Sequence, residues 1–248
     1  QTRAKTKATY RFLEHPEMTL DKILHSHYEA TLDRLRGEKI VLAIQDTTSL
    51  NYATHLATEN LGPIDNRPDK GLGLLLHDTM AFSPGGIPLG LIDVQCWARD
   101  GGDFGKKRRR HELPIEQKES HKWLVSFRKT AQAQRRYPQS TFVSIGDREA
   151  DIYELFELTL KEESTPKLLV RAIHDRLLGE DHCHLWERLA RQEVSGIQEV
   201  RIPRRGNRPA RVARLEVRFA QVSLKPPQRK SSLRDLTVWA VLAREISP

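Results

Sequence analysis

The stretch Ile40-Val41-Leu42-Ala43-Ile44-Gln45-Asp46-Thr47-Thr48-Ser49 decides the fold. An apolar run ends on a single carboxylate, and hydroxyl residues follow at once. Such a run reads as a buried strand, with Asp46 expected at its mouth. Thr141-Phe142-Val143-Ser144-Ile145-Gly146-Asp147-Arg148-Glu149-Ala150-Asp151 repeats the plan, delivering Asp147 at the end of a shorter run. Two carboxylates at the ends of neighbouring strands repel and stay ionised together only with a cation between them. Asp46 and Asp147 are therefore candidates for one metal site. Each also has an ordinary alternative, because Asp after a strand commonly serves as a turn residue or a helix N-cap. Hard oxygen ligands suit Mg²⁺ or Mn²⁺, and sites of this kind carry out in-line phosphodiester chemistry.

Around these two stretches the sequence alternates strand and helix signals. Thr19 is a candidate N-cap for a helix with Leu20, Ile23, Leu24, Tyr28, Leu32 and Leu35 on one face, closed by Gly37. Residues 53–71 are rich in turn formers and read as loop. The apolar runs 72–82 and 87–96, split by Ser83-Pro84-Gly85-Gly86, read as a hairpin. With the Asp46 strand they form an antiparallel meander. A helix is expected from 115 to 135, with Trp123 in the core. Another follows Asp147 from 149 to 160, and a strand covers Leu168–Ile173. Beyond about residue 176 the texture becomes β-rich. Its clearest strand is Ala213–Phe219, with Ala213, Leu215, Val217 and Phe219 facing one way. The expected organisation is a lead-in over 1–36, an α/β core over 37–175 and a β-rich insertion over 176–248.

Hydrophobic residues make up 38% and charged residues 30% of the 248 positions, as in a soluble globular protein. No apolar run is long enough for a membrane span. The net charge of +8, from 41 Lys+Arg against 33 Asp+Glu, favours a polyanionic partner such as nucleic acid. Only two cysteines occur, Cys96 and Cys183, which argues against a secreted disulfide framework and fits a cytoplasmic setting. Charge and carboxylates together point to metal-dependent cleavage or transfer of nucleic-acid strands.

Asp46-Thr47-Thr48-Ser49-Leu50-Asn51-Tyr52 and Gly146-Asp147-Arg148-Glu149-Ala150-Asp151-Ile152 closely resemble the two aspartate motifs of bacterial cut-and-paste DDE transposases. The resemblance is to the insertion-sequence-four group, which includes the transposon-five transposase. Ala8–Phe12, Gln117–Trp123, Leu169-Val170-Arg171 and Asn207–Arg211 extend it along the chain in one order. It implies an RNase H-like core, a mixed sheet flanked by helices, interrupted by a β-rich insertion and incomplete at the C-terminus. It implies Asp46 and Asp147 as the first two acidic ligands of Mg²⁺ or Mn²⁺, and Arg171 beside the transposon end. The implied reaction is nicking, hairpin formation by 3′-hydroxyl attack, hairpin opening and strand transfer. The implied partners are double-stranded DNA, as transposon ends and target, and a second subunit in a DNA-bound homodimer of the full-length protein.

Two family features have no counterpart in these 248 residues: the end-binding N-terminal domain, and the Tyr-x-x-Arg-x-x-x-Glu helix that supplies the third ligand. The expectation is thus of a portion of such an enzyme, inactive by itself. A DNA-binding or regulatory derivative and an RNase H-like nuclease are the rival readings. Lys106, Lys107 and Arg108 in a basic run, and Arg204, Arg205, Arg208 and Arg211 in the insertion, are the candidate DNA-backbone contacts. Arg148 is a further candidate, for phosphate or for a neighbouring carboxylate. His182-Cys183-His184 has metal-binding residue types but alternating directions on an extended chain, and it has no second pair nearby.

Overall fold

The computed structural model describes residues 2–55, 57–65, 71–103, 113–161, 165–179 and 183–246. They fall into two compact units, Gln1–Arg171 and Ala172–Pro248.

The first unit opens with helix α1 (Arg3–Leu13), which contains the Ala8–Phe12 stretch. Helix α2 (Leu20–Leu35) starts where expected, with the Lys22 amide donating to Thr19 Oγ1 at 3.2 Å. Its inward face is set later than the periodicity suggested: Thr31 and Leu35 are buried, while Leu20 and Ile23 are exposed. Strand β1 (Ile40–Asn51) does not stop at Asp46 but runs five residues beyond it. Strand β2 (Gly62–Pro63) is a short pairing within the predicted loop. Strands β3 (Leu72–Phe82) and β4 (Pro88–Trp97) make the expected hairpin. The predicted 115–135 helix resolves into a 3₁₀ turn at Ile115–Gln117 and helix α3 (His121–Arg136). Strand β5 (Thr141–Gly146) leads to a 3₁₀ turn at Arg148–Ala150, and only then to helix α4 (Tyr153–Lys161). Strand β6 (Lys167–Val170) ends the unit's regular structure.

The sheet order is β4-β3-β1-β5-β6, with β2 sharing the outer edge of β3. β3 pairs antiparallel with both β1 and β4, whereas β5 and β6 run parallel to β1. A meander followed by two parallel strands, with helices packed on the sheet, is consistent with an RNase H-like core. Period-2 burial fixes the faces. Val41, Ala43 and Gln45 of β1, Leu75, His77, Thr79 and Ala81 of β3, and Phe142 and Ser144 of β5 are all buried. α2 and α3 close one cluster over this face, built on Leu35, Val41, Ala81, Leu89, Ala133 and Phe142. α3 and α4 close a second, around Trp123, Leu124, Phe127, Ala150 and Leu155. Each large side chain so buried contributes about 1.5–3 kcal/mol. Gly90 (φ 133°) lets α2 approach β4, since a Cβ there would stand 2.2 Å from Thr31 Oγ1. The alternate residues, among them Ile44, Asp46, Met80, Asp78, Ile145, Asp147 and Leu169, line the opposite, more open face.

The second unit holds helix α5 (Leu185–Ala190) and an antiparallel sheet of β7 (Gly196–Ile202), β8 (Arg211–Leu224) and β9 (Leu236–Glu245). Among the described residues its buried hydrophobic side chains are Leu178, Leu185, Leu189, Ala213, Ala220, Val222, Leu224 and Leu236. Ala213, Leu215, Val217 and Phe219 share one face of β8, as the alternation predicts. No described helix is long and apolar enough to cross a membrane.

Candidate functional site

The parallel register of β1 and β5 runs from Ile40↔Thr141 to Ile44↔Ile145 and then stops. Two residues further along each strand stand Asp46 and Asp147. β5 and β6 pair as far as Gly146↔Val170, and the Arg171 amide still donates to the Gly146 carbonyl at 3.2 Å. Arg171 therefore follows Val170 as Asp147 follows Gly146. Three residues chosen from separate motifs, Asp46, Asp147 and Arg171, thus meet at the same edge of the sheet, and all three are exposed.

Asp46 stands in mid-strand, not at a strand end. Pairing with β3 continues through Asn51↔Gly73, so the carboxylate sits where β1 parts from β5 but stays bonded to β3. The hydroxyl residues Thr47, Thr48 and Ser49 are strand residues here, held by register against His77, Leu76 and Leu75.

Asp147 does what an ordinary Asp after a strand does: its Oδ1 accepts the Glu149 amide at 2.8 Å and caps the 3₁₀ turn. Gly146 makes this turn possible. A Cβ there would lie 2.4 Å from Ala150 Cβ and 3.1 Å from Trp123 Cζ3. Capping engages one carboxylate oxygen and leaves Oδ2 available to a cation.

A third carboxylate joins the row. Asp78 is the cross-strand partner of Asp46, and by strand alternation both point to the open face. Burial, followed by the negative charge of Asp46, pushes the Asp78 carboxyl above the usual range. Like charges directly opposed on a sheet are destabilising, so the Asp78–Asp46–Asp147 row calls for a proton or a cation. Among the described residues no three His, Cys, Asp or Glu side chains converge closely enough to hold an ion by themselves. The donor set is all oxygen and fits Mg²⁺ or Mn²⁺ in kind.

Beneath the row, on the covered face, a chain of hydrogen bonds ties three strands together. Gln45 Nε2 donates to Ser144 Oγ at 2.7 Å, His77 Nε2 lies 3.4 Å from Gln45 Oε1, and Thr47 Oγ1 lies 2.9 Å from His77 Nδ1. Gln45 and Thr47 flank Asp46, so this chain sets the local path of the strand that carries it. His77 is fully buried, with its ring edge-on to Trp123 at 4.7 Å. Burial, and next the Lys122 ammonium, hold it neutral by lowering its pKa to about 4.

On the covered side of β1 and β3 is a cleft of about 200 Å³, lined by Thr47, Ser49, Asp65, Arg99, Lys122 and Glu149 among others. Lys122 is only 6% exposed and bonds Glu149 at 3.1 Å, with Glu119 at 3.8 Å. Arg99 grips Glu119 through two hydrogen bonds of 2.7 Å. These pairs fasten the turn that follows Asp147 to α3 and to the segment after β4. Glu149 is thus an anchor for this turn.

The other candidates are dispersed. Arg148 is exposed in the capped turn. Arg204, Arg205 and Arg208 lie in the second unit at the β7–β8 hairpin, closed by the Arg205↔Arg208 bridge. Arg211 is held by the Glu245 carboxylate in a two-bond pair. Lys106, Lys107 and Arg108 lie outside the described residues, as does His182. His184 Nδ1 lies 2.8 Å from the Asp175 carbonyl.

No protein-family model matches the sequence. Among solved structures, the chain is similar to piggyBac transposase in its cryo-EM synaptic complex with hairpin DNA. Identity is 12% and the TM-score is 0.34, over 98% of this chain and 40% of that one. At that TM-score the likeness has no bearing on fold or function, so the RNase H-like assignment rests on strand order and direction.

Proposed function

We propose that this chain is the catalytic-core portion of a DDE-type DNA transposase of the insertion-sequence-four kind. On this reading it serves divalent-metal-dependent nicking, hairpin formation and strand transfer. One observation carries the reading: the register of β1, β5 and β6 sets both motif aspartates and the motif arginine at one sheet edge. Asp46 and Asp147 would hold Mg²⁺ or Mn²⁺, with Asp78 adjacent. A bound ion of this type supplies Lewis-acid stabilisation of phosphoryl oxygens and a more acidic water. The protein's own part is positional. The Asp147 cap and the Lys122–Glu149 pair fix the turn on one side, and the Gln45–His77–Thr47 chain fixes β1 on the other. Arg171 would meet the phosphate of the strand end that the reaction acts on.

The test is Mn²⁺ titration of ¹⁵N-labelled protein. Amides near 46, 78 and 147 should broaden first, Mg²⁺ should compete, and Asp46→Asn or Asp147→Asn should abolish the effect. Broadening elsewhere, or in both variants, refutes the reading. A DNA-binding derivative without catalysis is the second reading, favoured by the spread of the described carboxylates. Nicking of cognate end DNA by protein that binds Mn²⁺ at this edge would exclude it.

A further inference from the structure

The second unit presents a face that the metal-site reading leaves unused. On the outer side of its sheet, Phe219 pairs with Val241, and Gln221 pairs with Trp239. Trp239 is 65% exposed, Val241 64% and Phe219 48%. The two aromatic rings lie 5.9 Å apart and tilted at 59°. Side chains this large are rarely left open in a group, and a contiguous apolar patch marks a binding surface.

Charge identifies the occupant. Residues 196–245 hold 12 Lys+Arg against 4 Asp+Glu, a surplus as large as the whole chain's +8. Arg204, Arg205 and Arg208 crown the β7–β8 hairpin, and Arg211 begins β8 on the aromatic face, its guanidinium held by Glu245. From Arg211 to Phe219 the strand spans about 27 Å at roughly 3.4 Å per residue. An open sheet with exposed aromatic rings and cations along one end matches the two needs of an unpaired nucleic-acid strand. Bases stack on rings, and phosphates follow the positive charge. A duplex hides its base faces and could use only the cations.

We propose that the Phe219–Trp239 face of the second unit is a stacking platform for single-stranded DNA, with the arginines of the β7–β8 hairpin taking its phosphates. Recognition is tolerant of sequence, since every base offers a π-face, and weakens with salt as cations on the strand are displaced. The platform needs no metal and stands apart from the proposed catalytic reading.

The test is fluorescence anisotropy of labelled dT15 with the full 248-residue chain in EDTA. A 15-base-pair duplex is the comparison. The double variant Phe219→Leu/Trp239→Leu keeps the face apolar but removes the rings. It should bind dT15 at least tenfold more weakly while duplex affinity changes less than twofold. Trp239→Phe should restore most of the loss, and dT15 should quench tryptophan emission in the wild type only. Matched circular-dichroism melts qualify the variants. Unchanged dT15 affinity in the leucine pair overturns the proposal. So does quenching by phosphatidylserine vesicles without quenching by dT15, which would make the face a lipid surface.

Discussion

His77 should make this protein acid-labile in a defined window. In the fold it is fully buried and its pKa is lowered to about 4 from the ordinary 6.5. A depressed histidine favours the folded state while both forms are neutral. As pH falls below 6.5 the unfolded chain takes up a proton that the folded one refuses, so stability is lost between pH 6.5 and pH 4. A difference of about 2.5 pH units at 1.36 kcal/mol each amounts to about 3 kcal/mol. The perturbation is His77→Gln, which keeps a polar group near Gln45 but cannot titrate. At pH 7.5 the variant should be less stable, for want of the Thr47 bond and the ring's packing on Trp123. As pH falls, the gap should close at up to about 1.4 kcal/mol per pH unit, measured by urea unfolding at steps from pH 7.5 to 4.5. Asp78 and Asp93, both raised by burial, work in the opposite direction and gain stability as pH falls. They are common to both proteins and cancel in the difference to first order. Parallel wild-type and variant curves across this window would refute the assignment of His77 as a neutral strut.

Asp78→Asn removes the like charge opposite Asp46 and should raise metal-free stability by about 0.2–1 kcal/mol. The same change should weaken Mn²⁺ binding at the row, and calorimetry with and without Mn²⁺ reads both effects. Gly146→Ala drives a Cβ into Ala150 and Trp123 and should cost about 1–3 kcal/mol in urea unfolding. Lys122→Met leaves Glu119 and Glu149 without their shared cation. Because both glutamates are partly solvated, the loss should stay near 1–2 kcal/mol, below the 3–5 kcal/mol typical of a broken buried pair. Broadened amides at 147–150 in the NMR spectrum would show the freed turn.

The strands of the first unit were legible because their apolar runs are continuous or strictly alternating, and the meander followed from one hairpin signal. What failed was the reading of ends. Thr47–Asn51 is polar enough to pass for loop, yet it is strand, because β3 supplies a partner for every residue through Gly73. The helix after Asp147 starts later than the sequence predicts, since the cap closes a 3₁₀ turn before α4 can start. Asp78 has no signal in the sequence for a related reason. It interrupts an apolar run, and its meaning comes only from the residue across the ladder. Lys122 was visible inside the quoted Gln117–Trp123 stretch, but a buried ammonium on a helix otherwise defined by Trp123 and Phe127 has no one-dimensional signal. Asp46 and Asp147 are legible as carboxylates ending apolar runs, Arg171 only through resemblance, and their meeting at one end of the sheet is a property of register that no single motif encodes.

The parting of β1 from β5 after Ile44 also gives β1 an unusual seam. Past that point every second amide is locked to β3, while those between face the widening gap. Hydrogen exchange along residues 45–51 should therefore alternate, slow and fast, within one continuous strand. The carboxylate of Asp46 sits where that alternation begins, on a backbone that is rigid along one rim and wet along the other. On the proposed reading, a phosphate would come alongside it there without prising any strand from its neighbour.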